Sequence, residues 1–181
     1  GRVSKEKNMP LLSAIYRSLV ALRPQVRLIV VGDGPYLEEM KEGLKDLPVT
    51  FTGFLAGEDL TQAYASSDIF IFPSTTDTFG NVVLEAQASG LPVIVTNEGG
   101  PKENVLPGKT GFIVPANEKE ALLDTLLSLV DDPAQREKMR FQAREYMENR
   151  SFEAAFLQLW GSYRTADPRS RVESKPEAGM F

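Results

Sequence analysis

Residues Asp68 to Thr96 read DIFIFPSTTDTFGNVVLEAQASGLPVIVT, and this stretch decides the fold. Two runs of Ile, Phe, Val and Leu, Asp68–Ser74 and Leu91–Thr96, bracket a helical pattern at Asn81–Ser89. Strand, helix and strand in so short a span form a βαβ unit, which builds a parallel sheet. Strands that are apolar at nearly every position suit a sheet buried on both faces. Inside the unit, the segment DTFGNVVLE sets Asp77 and Glu85 on either side of a Phe-Gly step. Either the acids are solvated helix-start residues, or they frame a ligand.

Working outward, the same alternation recurs. Val26–Gly32 (VRLIVVG), Val49–Gly53 (VTFTG) and Gly111–Val114 (GFIV) are predicted strands, which makes five in all. Met9–Leu22 is predicted as a helix, with apolar Leu11, Leu12, Ile15, Leu19 and Leu22 at three- and four-residue steps. Gly34–Leu47 and Glu58–Ser67 read as crossover helices. The fold class expected is α/β, a Rossmann-like doubly wound parallel sheet. From Glu118 onward only helices follow. Glu118–Asp132 stops before Pro133, which opens the next helix as its first residue. Ser151 is the N-cap of a further helix with an aromatic face of Phe152, Phe156, Trp160 and Tyr163, read as packing. One domain is expected over 1–165, followed by a polar tail over 166–181 predicted to be disordered.

Composition narrows the chemistry. The 181 residues, 42% hydrophobic, suffice for one domain with a proper core. There is no cysteine and no histidine, which rules out disulfides, a histidine triad and the usual zinc ligands. Proton transfer would fall to carboxylates, Lys, Arg, Tyr or the substrate. A net charge of −5 argues against a nucleic-acid partner. No apolar run nears the about 20 residues that span a bilayer, and a cytoplasmic setting is expected.

Three segments carry the candidate site. In VVGDGP, Gly32 and Gly34 lie between a strand and a helix, where backbone amides can face a phosphate. The third glycine of a G-x-G-x-x-G pattern is replaced by Leu37, so a plain tight turn fits as well. In GRVSKEKN, Arg2 and Lys7 precede a helix and could grip a diphosphate, or be two exposed charges. In PSTTDTFGNVVLE, Asp77 falls at the C-terminal edge of a strand, where open α/β sheets bind ligands. The amides of Phe79, Gly80 and Asn81 open a helix, and Glu85 lies in its second turn. Carboxylates accept hydrogen bonds from sugar hydroxyls while amides donate to phosphate, a combination that fits a nucleotide-sugar. The plain alternative makes Asp77 a helix cap.

Taken in order, GRVSKEKN, VVGDGP, FTGFL, DIFIFPSTTDTFGNVVLEAQASGLPVIVTNEGGPKENV and GKTGFIV resemble the C-terminal half of retaining GT-B glycosyltransferases of family 4, over roughly residues 1–165. The resemblance implies a domain that binds a sugar-nucleotide donor, a UDP-, GDP- or ADP-sugar, with no cofactor and no metal. It implies that Arg2 and Lys7 hold the donor diphosphate, that Asp77 touches the transferred sugar and that Glu85 holds the ribose. Phe79, Gly80 and Asn81 would meet the distal phosphate and sugar, Leu55 the base, and Gly32 would line the pocket. Asp77 stands where the family usually has Glu, one methylene longer. In NEGGPKE (Asn97–Glu103), Gly99 and Gly100 could face the ligand, while Glu103 fits a structural or a functional role equally.

The same resemblance implies a strand ahead of Gly1, central in a 3-2-1-4-5-6 order, and an N-terminal domain that carries a glycan or lipid acceptor. The stretch is therefore expected to be a fragment, inactive alone, of a protein that is cytoplasmic, either free or at the inner face of a membrane. A break in the sheet beside Ile69–Phe72 is the expected sign. The competing readings are a GT-B epimerase or phosphorylase and a non-catalytic nucleotide-binding domain.

Overall fold

In a computed structural model the protein is described over residues 1–150. The predicted helix from Ser151 with its aromatic face, and the 166–181 tail, lie outside the described residues. In chain order the elements are α1 (Met9–Leu22), β1 (Leu28–Val31), α2 (Leu37–Gly43), β2 (Val49–Gly53), α3 (Gly57–Ala65), β3 (Phe70–Phe72), α4 (Asn81–Ala88), β4 (Val93–Thr96), β5 (Gly111–Val114), α5 (Lys119–Asp131) and α6 (Pro133–Glu148). Short 3₁₀ turns cover Lys5–Lys7 and Pro101–Asn104.

Among the described residues, every pairing between strands β1 to β5 is parallel, and the doubly wound sheet is present in two parts. β1 pairs with β2 from Leu28–Val49 to Val31–Gly53, while β3, β4 and β5 form the order β3-β4-β5. Among the described residues, no strand pairs with the edge of β3 away from β4. Beside β1, on the side away from β2, runs the short segment Gly1–Val3. Its Gly1 amino group donates to the Val31 carbonyl at 2.8 Å, and its Val3 N–H donates to the Asp33 carbonyl at 2.9 Å.

Alternation along β4 shows the two covered faces. Ile94 joins Ile15, Leu19, Val114, Leu122, Leu126, Leu129 and Met139, a core made with α1, α5 and α6. Its neighbours Val93 and Val95 turn to the opposite face, against Val83 and Ala86 of α4. Successive strand residues point to opposite faces, so a fully apolar strand is the one that must be covered twice. Helix α1 serves both parts of the sheet. Met9, Leu12 and Tyr16 pack with Val30 and α2, and Ile15 and Leu19 pack with β4, β5 and α5. Tyr16 is buried and donates its hydroxyl to the Pro48 carbonyl at 2.7 Å. Arg23, just past α1, forks onto both oxygens of Asp131 at the end of α5, each at 2.6 Å.

The helix limits of α1 match the sequence expectation to the residue, yet its buried stripe does not. Leu22, expected on the apolar face, is 51% exposed because it ends the helix beyond the packed layer, while Met9 and Tyr16 take core positions. Strands β1, β3 and β4 are shorter than their apolar runs, since the flanking residues of each run belong to loops.

Candidate functional site

Because all the strands are parallel, their C-terminal ends share one edge, and the loops leaving β1, β2, β3 and β4 all rise there. Residues 1–8 run along it. Arg2, exposed, lies beside Asp33 at the end of β1 through a parallel backbone pairing, and the chain then turns through Lys5–Lys7 towards the loop after β3. There the Lys7 ammonium lies 2.6 Å from Oδ2 of Asp77, with both side chains little more than a fifth exposed. Thr76 adds a second tie, donating its hydroxyl to the Glu6 carbonyl at 3.3 Å. The contact to Lys7 is an ion pair and not an aligned hydrogen bond, so the buried Oδ2 keeps unmet acceptor capacity. The structure thus brings together two residues that the sequence separates by seventy positions.

Asp77 does not cap α4. The N-cap is Gly80, in the left-handed conformation at φ +80, which suits glycine. Among the described residues, the N–H groups of Phe79, Gly80 and Asn81 have no hydrogen-bond acceptor, and they stand at the positive end of α4. The loop is shaped from behind by NEGGPKEN. Gly100 donates its N–H to the Asp77 carbonyl at 2.8 Å, and a Cβ at Gly100 would fall 1.8 Å from the Thr78 carbonyl oxygen. Asn104, buried, donates its side-chain amide to the Phe79 carbonyl at 2.6 Å. Buried Gln87 of α4 in turn donates to the Asn104 carbonyl at 2.9 Å. Gly99 and Gly100 therefore serve close packing against the acid loop, and the Glu103 side chain is exposed.

The glycines of VVGDGP have a similar task. Gly32 donates its N–H to Gly53 at 2.7 Å, and Gly34 donates to the Asp33 side chain at 2.6 Å. Both amides are spent, so neither glycine offers a free donor to a phosphate. A Cβ at Gly32 would lie 1.7 Å from the Gly1 carbonyl oxygen, and one at Gly34 would lie 2.3 Å from that of Val3. Absence of a side chain lets residues 1–3, and Arg2 with them, lie against β1. Leu55 follows β2 on the same edge, half-buried, beside Phe54, which is 82% exposed.

Glu85 projects from α4 and is exposed, but it is held. Tyr64 of α3 donates its hydroxyl to Glu85 Oε2 at 3.0 Å. Burial, and then the neighbouring carboxylate, push the Tyr64 phenol well above the usual tyrosine range. Tyr64, Asn104 and Gln87 carry no spacing signal in the sequence, and only tertiary contact shows the partner of each.

The sequence profile described as glycosyl transferases group 1 matches residues 1–146. The chain belongs to this family. Among glycosyl transferases of group 1, a sulfoquinovosyl transferase of Arabidopsis thaliana is 40% identical over 163 residues, covering 88% of this chain and 31% of that protein. A GDP-mannose-dependent alpha-mannosyltransferase of Mycobacterium tuberculosis is 34% identical over 175 residues, 96% of this chain and 44% of that protein. The crystal structure of Anabaena HepE in complex with UDP superposes with a TM-score of 0.77 at 26% identity, covering 91% of this chain and 47% of HepE. The fold is that of GT-B glycosyltransferase domains, and the chain spans less than half the length of each of these relatives.

Proposed function

We propose that this chain is the donor-binding half of a retaining family 4 glycosyltransferase, which moves a sugar from a nucleoside diphosphate sugar to an acceptor hydroxyl. The observation that carries the reading is the Lys7–Asp77 contact of 2.6 Å beside the open N-terminus of α4. It sets a cation for a diphosphate and a carboxylate for sugar hydroxyls at the same point. The nucleotide-sugar relatives and the UDP complex of a structural neighbour support the same class of donor.

In this mechanism the bond between the sugar's anomeric carbon and the diphosphate oxygen breaks, and a bond to the acceptor oxygen forms on the same face. Lys7, Arg2 and the amides of Phe79, Gly80 and Asn81 neutralise the charge that grows on the leaving diphosphate. The acceptor's proton passes to the departing phosphate oxygen. Lys7 turns from Asp77 to the diphosphate as donor binds, which frees Asp77 Oδ2 to accept from the sugar. Glu85 accepts from the ribose, Leu55 meets the base and Gly32 lines the pocket. We assign the acceptor, a glycan or a lipid, to an N-terminal domain, and the full-length protein to the cytoplasm or the inner membrane face. The reading calls for no metal.

Calorimetric titration of the full-length protein with UDP-, GDP- and ADP-sugars tests this. One donor is expected to bind. Lys7→Ala should weaken it by about 10- to 100-fold, the value of a hydrogen bond to a charged group, and Arg2→Ala with Lys7→Ala should abolish binding. Binding that survives the double substitution refutes the assignment, and donor epimerisation without transfer points to a different GT-B reaction.

A further inference from the structure

Glu85 is an exposed glutamate on a helix surface, and such a side chain samples several rotamers unless something holds it. The structure supplies a holder from another crossover helix. Helix α3 has no buried residue, yet near its end Tyr64 turns inward as a half-buried side chain. Its ring packs on Phe70 with centroids 5.9 Å apart and planes tilted by 55°, and Phe70 stacks on Phe72 at 6.2 Å. Both phenylalanines belong to β3, so the phenol is anchored to the same strand that leads into the acid loop. From this seat the hydroxyl reaches Glu85 Oε2 at 3.0 Å.

We propose that Tyr64 is a positioning residue that fixes Glu85 in its receiving orientation and thereby sets the site's preference for ribose over deoxyribose nucleotides. The phenol takes one lone pair of Oε2. Oε1 and the remaining lone pair stay open to accept from a vicinal pair of hydroxyls. A carboxylate ordered beforehand spares the complex the cost of immobilising it on binding. The ring is taken up by its packing on Phe70, which separates this role from that of a base-stacking aromatic. The inference rests on the reading of Glu85 as the ribose acceptor, and the experiment is chosen so that the two can fail separately.

The test is a double-mutant cycle on the full-length protein. Calorimetry with UDP, GDP and ADP first identifies the nucleotide bound, and that nucleotide is compared with its 2′-deoxy analogue for wild type, Tyr64→Phe, Glu85→Gln and the double variant. Tyr64→Phe keeps the packing on Phe70, and its thermal melt checks that it folds. The expected result is a loss of about three- to tenfold in affinity for the ribonucleotide, with the deoxy analogue changed by less than about twofold. Glu85→Gln should flatten the same ratio, and the double variant should match Glu85→Gln alone. An unchanged ratio in Tyr64→Phe beside a flattened ratio in Glu85→Gln overturns the role of Tyr64 and leaves Glu85 in place. Tighter ribonucleotide binding by Tyr64→Phe also overturns it, since the phenol would then be holding Glu85 away. An unchanged ratio in Glu85→Gln, or no nucleotide bound by wild type, overturns both readings.

Discussion

Gly100→Ala probes the contact on which the shape of the acid loop depends. Gly100 has φ −83, which alanine adopts freely, so backbone strain plays no part and the effect is one of space alone. The added Cβ would lie 1.8 Å from the Thr78 carbonyl oxygen and 2.5 Å from its carbon, both backbone atoms that no rotamer change can move. The loops must part, and the 2.8 Å bond from Gly100 N–H to the Asp77 carbonyl goes with them. Overpacking of this kind costs about 1–3 kcal/mol and the lost hydrogen bond about 1 kcal/mol, a total of about 2–4 kcal/mol. In a domain of this size that lowers the melting temperature by about 5–15 °C. Gly43→Ala is the control, for nothing lies within 4 Å of its added Cβ and its φ is not positive. It should leave stability unchanged or raise it by up to about 1 kcal/mol. Urea unfolding gives the stability, and titration with the intact sugar-nucleotide donor gives the state of the site, where displacement of Asp77 should weaken binding. A Gly100→Ala variant as stable as wild type refutes the close contact. One that loses stability but binds the donor equally well refutes the link from this contact to the site.

Two further outcomes follow from the same geometry. Asn104→Ala removes the donor to the Phe79 carbonyl while its own backbone carbonyl still receives Gln87. It should cost about 1–2 kcal/mol in urea unfolding and loosen nucleotide binding, and a variant that shows neither effect denies the anchor. Spectrophotometric titration should find Tyr64 and Tyr16 ionising above the ordinary tyrosine range, both held neutral first by burial. Because the raised pKa favours the neutral phenol in the fold, its contribution to stability is complete below about pH 10 and is lost as the pH climbs past that value. Glu85→Gln should bring Tyr64 back towards the ordinary range, and a Tyr64 titration that ignores this change contradicts the bond between them.

The sequence by itself determined the five parallel strands, the helices between them and the edge on which the loops gather. Those features are written in local patterns, namely apolar runs of strand length, three- and four-residue helical spacing, and Gly, Pro or Asp at each boundary. It also marked Asp77, Glu85, Arg2 and Lys7, because charged residues at strand ends and helix starts stand out against an apolar background. Tertiary structure alone decided how those residues are held. That Lys7 meets Asp77, that Tyr64 of one crossover helix holds Glu85 of another, and that Asn104 fixes the loop at Phe79 are contacts across 21 to 70 positions of chain. Nothing in the local sequence encodes them, since they depend on which loops the parallel sheet brings side by side. The glycines show the same division. Gly99 and Gly100 read as able to face a ligand, and Gly32 and Gly34 as phosphate-facing or a plain tight turn, and in the folded chain the space of each missing Cβ is met by another stretch of its own backbone. A glycine records that something approaches closely, and only the packed structure tells what does.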